Sequence, residues 1–169
     1  MITQIDKEEG RVSVADSSVL TYRPKMSALN LDAPEKTVFG VIPSKVFTSR
    51  KAFIDVSRKG IPGRWVKSVI DATGLRETFL EILNVSSGNL SREYRKKALT
   101  KEASEEVLDA VRLLSQAVDV WESRPLAIEW LNSPVVALGG ERPITLFDTF
   151  EGRRWVSQVL NKIEHGEFS

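Results

Sequence analysis

An all-α fold is predicted for this chain by three observations. From Pro43 onward, apolar residues recur at helical spacings of three and four. Ser and Thr stand where such helices would begin, and Gly or Pro where they would end. The β-branched residues before that point (Val12, Val14, Val19, Thr21, Val38, Val41) are scattered among prolines with no sustained period. Residues 1–42 therefore read as an irregular or partly disordered arm, with a short strand at Arg11–Ala15 or Ser18–Tyr22.

Residues 43–100 read as a bundle of short helices. Val46, Phe47, Phe53, Ile54 and Val56 make an imperfect apolar face that stops at Lys59 and Gly60, and Ile61-Pro62-Gly63 is the break. Trp65, Val66, Val69 and Ile70 mark a second helix closing at Gly74. Leu75, Phe79, Leu80, Ile82 and Leu83 mark a third that ends near Asn84. Tight connections between short helices are typical of a compact bundle.

The segment from Val85 to Lys97 then offers a capping Ser, small polar residues and a basic cluster, in that order. A recognition helix enters the major groove by its N-terminal end, so small hydrogen-bonding groups there reach base edges while later Arg and Lys meet phosphates. Ser87, Asn89 and Arg92 are the base-edge candidates. Arg95, Lys96 and Lys97 are the phosphate candidates, with Lys59, Arg64 and Lys67 as secondary contributors. The alternative for the basic cluster is a solvated helix end that complements the helix dipole. Gly88 inside this helix costs about 1 kcal/mol relative to Ala; it either admits close backbone approach or marks a lost DNA contact.

Residues 101–122 predict the longest helix, with Thr100 as its cap. Val107, Val111, Leu114, Val118 and Trp121 recur at spacings of 4, 3, 4 and 3, a helix-on-helix seam. Over about two heptads, an intramolecular core is favoured above a dimer seam. Residues 123–169 open with a short helix, Pro125 to Leu131, entered through Ser123. Leu138-Gly139-Gly140-Glu141-Arg142-Pro143 forces a sharp turn. Asp148 precedes Glu151 by the spacing of a capping box, and a helix from Thr149 to Glu164 follows. Its apolar stripe is Trp155, Val156, Val159, Leu160 and Ile163, and Gly166 ends it.

Charge is segregated along the chain. Residues 37–101 hold thirteen Lys or Arg against five Asp or Glu, whereas residues 102–169 hold six against twelve. A basic middle suits a polyanion and an acidic end suits a different partner. With no Cys there is neither a disulfide framework nor a thiolate metal site, and a reducing cytoplasm is the expected location. No signal peptide and no spanning segment are expected. His165 is the one histidine, so no Ser-His-acid triad or metal cluster assembles, and neither a Walker loop nor a GxGxxG is present. A binding protein, with no catalytic residues, metal, cofactor or small-molecule substrate, is expected rather than an enzyme.

The string ALGGERPITLFDTFEGRRWVSQVLNKIEHGEFS, Ala137 to Ser169, resembles the toxin-binding domain of the Xre/MbcA/ParS antitoxins, with their ALGG-x-RP element, DT-x-EG-RR helix start and IEHG tail. LNVSSGNLSR, Leu83 to Arg92, resembles the helix-turn-helix of Xre-type antitoxins. The resemblance implies an Xre-like DNA-binding bundle over 43–100, a linking or dimerisation helix over 101–122 and a toxin-binding domain over 123–169. It implies a RES-domain toxin that acts on NAD as partner, together with operator DNA and a second copy of the chain. The expected mode is occlusion of the toxin's NAD pocket by a tail of Ile163, Glu164, His165, Gly166, Glu167, Phe168 and Ser169. Glu164, Glu167 and the terminal carboxylate would engage cationic groups, and Phe168 an apolar position. Arg142, Arg153 and Arg154 are expected as rim contacts, each equally able to make intradomain pairs. The alternative is a stand-alone dimeric helix-turn-helix regulator with no toxin partner.

Overall fold

The computed structural model describes residues 37–166. The possible strands at 11–15 and 18–22, and Glu167, Phe168 and Ser169 of the tail, lie outside the described residues. What is described is helical apart from one small hairpin, as the periodicity predicts. That hairpin occupies the end of the segment read as irregular. β1 (Thr37–Val38) pairs antiparallel with β2 (Ile42–Pro43), Val38 opposite Ile42, through a turn with positive φ at Phe39 and Gly40. Ile42 is fully buried, so the hairpin belongs to the core.

The first expected helix is divided. α1 (Lys45–Thr48) stops at Ser49, whose extended backbone lets its hydroxyl accept from the Ala52 amide at 3.3 Å and start α2 (Arg50–Lys59) afresh. α3 (Gly63–Thr73) ends at left-handed Gly74, and α4 (Arg76–Leu83) at left-handed Asn84, both where the sequence places the stops. Ser87–Asn89 is a single 3₁₀ turn and α5 (Leu90–Tyr94) has five residues. The basic cluster therefore follows this helix instead of lying within it, and Gly88 sits in the turn.

α6 (Lys101–Trp121) is the axis of the fold. Thr100 caps it by accepting from the Ala103 amide at 3.2 Å, and it packs against α2, α4, α7 (Arg124–Leu131) and α8 (Phe150–His165). Val107, Leu108, Val111, Leu114 and Ala117 are buried against these neighbours, so the seam serves the chain's own core. That core runs without interruption from Ile42 to Leu160, across the expected boundaries at 100 and 122, and the described residues lie in one unit. Ser104, fully buried, ties it to the bundle: its hydroxyl donates to Thr100 O at 2.7 Å and accepts from the Ile61 amide at 3.0 Å.

α7 starts from Ser123 with Pro125 in its first turn, and Trp121 and Trp130 stack obliquely with centroids 6.2 Å apart. The chain then forms two 3₁₀ turns, Val136–Leu138 and Pro143–Leu146, around Gly139 and Gly140 at positive φ. Leu138 and Phe147 plug the core, and α8 follows.

Candidate functional site

α8 begins one residue later than Asp148 would dictate. Thr149 is the cap, accepting from the Gly152 amide at 3.1 Å, so the expected Asp148–Glu151 box is out of register. Packing explains the shift: a Cβ on Gly152 would lie 2.1 Å from Leu146 O, so the glycine lets the preceding carbonyl close against the helix start. Val156, Val159 and Leu160 face the core. Trp155, counted in the same stripe, is 41% exposed at its edge.

Of the two roles expected for Arg153, rim contact or intradomain pair, it takes the second: its side chain is only 3% exposed. Nε donates to Asp109 Oδ2 at 2.7 Å, Nη1 donates to Phe147 O at 2.6 Å, and Nη2 reaches Glu106 Oε2. The guanidinium thus clamps the first turn of α8 to α6 with three differently directed donors, a task for which its planar fork is suited. One turn on, Gln116 of α6 donates to Asn161 Oδ1 at 2.7 Å and accepts from Ser157 Oγ at 2.7 Å. Start and middle of α8 are locked. Arg142 and Arg154 are exposed, and Arg154 meets Glu151 at 3.3 Å in a surface pair of small net value.

The far end of α8 is different. Ile163 packs against the core, whereas Glu164, His165 and Gly166 are exposed. His165 Nδ1 donates to Asn161 O at 2.7 Å, which folds the ring back along the helix. Gly166 adopts φ 68° and its amide bonds to Ile163 O at 3.3 Å, closing the helix. Glu164, His165 and Gly166 stand on a rigid base.

A second group of expected residues lies on the opposite part of the sequence. Ser87, Asn89 and Arg92 are exposed together, but two have local partners. Arg76 Nη2 donates to Ser87 Oγ at 2.7 Å, and Asn89 Nδ2 to Ser86 Oγ at 3.1 Å. Arg92 has no ion-pair partner among the described residues. Lys96 is held by Glu93 at 2.7 Å, leaving Arg95 and Lys97 exposed. Of the secondary candidates, Lys67 bonds to Asp71 at 2.5 Å, and this hydrogen bond holds its pKa above the ordinary lysine value. Backbone bonds from Gly63 N to Lys96 O (3.0 Å) and Leu99 N to Ile61 O (2.8 Å) bring Lys59 and Arg64 beside the 95–100 loop. This juxtaposition was not legible in the sequence, since it depends on how two connections pair.

Residues 116–166, from the last six residues of α6 to the C-cap of α8, match the family described as the antitoxin Xre/MbcA/ParS C-terminal toxin-binding domain. A Prs ADP-ribosylating antitoxin from a Sphingobium species is 33% identical over 127 residues, covering 69% of this chain and 80% of that protein. An antitoxin Xre from Yersinia enterocolitica is 35% identical over 71 residues, 41% of this chain and 48% of the relative. An antitoxin Xre from Photorhabdus laumondii is 29% identical over 89 residues, covering 52% and 60%. The matched region holds both the clamped helix and its exposed end, and the chain belongs to the Xre/MbcA/ParS antitoxin family, non-enzymatic proteins that bind a toxin.

Proposed function

We propose that this antitoxin neutralises a RES-domain, NAD-consuming toxin by placing residues 164–169 over or into the toxin's NAD pocket. The observation that carries the reading is the contrast along α8: its first three turns are fixed to α6 by Arg153 and Gln116, and its last residues are exposed. A rigid base loses little freedom when its end inserts into a partner, so more of the contact energy appears as affinity. Glu164 and Glu167 supply carboxylates for cationic groups that otherwise hold cofactor phosphates. The name of the Sphingobium relative couples an antitoxin to ADP-ribosylation, a chemistry that consumes NAD, and supports the choice of toxin class.

The test is co-expression with the reading frame beside this chain's gene, with pull-down and measurement of cellular NAD. The full chain is expected to form a complex and restore NAD. Truncation after Ile163, which keeps that core residue, is expected to release toxin activity while helicity is unchanged. Unchanged inhibition by the truncated chain would rule the tail out. No complex and no NAD effect, with operator binding retained, would leave a stand-alone regulator.

The same chain is proposed to repress its own operon through α4, the 3₁₀ turn and α5, as a dimer on a palindromic site. Exposed Asn89 and Arg92 at the start of α5 favour this. Asn89→Ala and Arg92→Ala are expected to lower discrimination between operator and random DNA by about 1–3 kcal/mol each. Arg95→Ala and Lys97→Ala are expected to weaken all sequences alike and to reduce the salt slope by roughly one per lost phosphate contact. Lys96, already paired with Glu93, should matter least. Gel shifts at two salt concentrations separate these outcomes.

A further inference from the structure

We infer that the toxin is held by a second, apolar contact outside the tail, made by the knuckle at Val136 and Ala137 and the adjoining Trp155 face of α8. The inference rests on the toxin-binding reading above and names a different part of the surface. Val136 is 93% exposed. A lone exposed valine is ordinary on a soluble protein, but three features set this one apart.

The first is rigidity. Val135 N bonds to Glu141 O and Gly140 N to Val135 O, each at 3.0 Å, closing a loop that Leu138, fully buried, anchors in the core. Gly139 and Gly140 supply the positive φ values that allow this closure. The valine is thereby presented on a braced support, which lowers the ordering cost of docking. The second is continuity. Ala137, Trp155, Gln158, Val159, Asn161 and Lys162 line a groove of about 300 Å³ directly beside the knuckle. It is large enough for one inserted side chain.

The third feature joins this surface to the proposed inhibitory end. Trp155, Val159 and Lys162 fall at i, i+4 and i+7 on α8, so the groove reaches to within one turn of the helix end from which the tail departs. The whole surface lies inside residues 116–166, the stretch matched to a toxin-binding domain. The occupant is therefore the toxin, through a protruding apolar side chain in the groove, a recess for Val136 and a carboxylate for Lys162. The knuckle supplies affinity, and residues 164–169 supply inhibition.

The experiment compares the full chain, Val136→Asp, Ala137→Glu and the chain truncated after Ile163, each titrated against the purified toxin for Kd and for residual NAD-consuming activity at saturation. Circular dichroism and the thermal midpoint show that each variant is folded; both knuckle residues are exposed, so neither change touches the core. Val136→Asp is expected to raise Kd by about 30-fold or more, the loss that marks a central contact, yet to inhibit fully once saturated. The truncated chain is expected to bind and fail to inhibit. A folded Val136→Asp and Ala137→Glu with unchanged Kd would overturn the inference while leaving the tail mechanism standing. Loss of self-association by sedimentation velocity, with toxin Kd unchanged, would assign the surface to a second copy and also overturn it. If the full chain does not bind the toxin at all, both readings fall.

Discussion

Arg153→Met is expected to lower folding stability by about 3 kcal/mol, at the low end of the cost of breaking a buried ion pair. The side chain is 3% exposed and satisfies three acceptors, Asp109, Glu106 and the Phe147 carbonyl. Removing it leaves the Phe147 carbonyl without this donor and Asp109, 13% exposed, with only Arg112 beside it. Arg112 softens the loss, and Glu106, 44% exposed, is recovered by water. Methionine keeps the apolar stem, so the measured loss reports charge and hydrogen bonding more than packing. Since a domain of this size has only about 5–15 kcal/mol in hand, the midpoint of urea unfolding should fall visibly.

Replacing both partners, Arg153→Met with Asp109→Leu, is expected to recover most of the loss, because an apolar pair needs no compensation. Arg153→Lys is expected to fall between, as an ammonium cannot reach three acceptors in one plane. The clamp positions the helix that carries the inhibitory residues. Toxin inhibition by Arg153→Met is therefore expected to fail at a lower temperature than in the unaltered chain, in step with unfolding. An unfolding midpoint unaffected by Arg153→Met would mean that the Gln116 seam alone holds α8.

Arg153 also shows where sequence reading stops. Arg153 and Arg154 are adjacent and identical in type, and nothing local says which one turns inward. The decision is made by Asp109, 44 residues away on α6. Signals that are local were legible: Gly74, Asn84, Thr100, Ser123 and Gly166 punctuate the helices where their backbone or side-chain chemistry requires. The split at Ser49 and the one-residue shift from Asp148 to Thr149 were missed because more than one nearby residue could cap, and packing chose between them. The exposed Val136 left no periodic trace, since it lies in a turn whose shape follows from hydrogen bonds between residues 135 and 141.

Gly63→Ala is expected to be the most damaging single-methyl change in the bundle. A Cβ there would lie 1.9 Å from Glu93 O and 2.9 Å from both the Glu93 and Tyr94 carbonyl carbons. These are backbone atoms, which cannot rotate aside, so α3 and α5 must separate. Overpacking of a fixed contact costs about 3 kcal/mol, here with added loss of the Gly63 N to Lys96 O bond. The effect reaches function, because α5 carries Arg92 and its end carries Arg95 and Lys97. Operator binding is expected to weaken more than toxin binding, since α8 is anchored separately on α6. Gly88→Ala provides the contrast. No atom lies within 4 Å of a Cβ at Gly88 and its φ is not positive, so alanine fits and restricts the unfolded chain. It is expected to leave stability unchanged or raise it by about 0.5–1 kcal/mol. Loss of operator affinity in Gly88→Ala, with stability intact, would show that the DNA backbone approaches this turn closely. Equal stability of Gly63→Ala and the parent chain would mean that α5 is not packed on α3 in solution, and the helix-turn-helix reading would have to be abandoned.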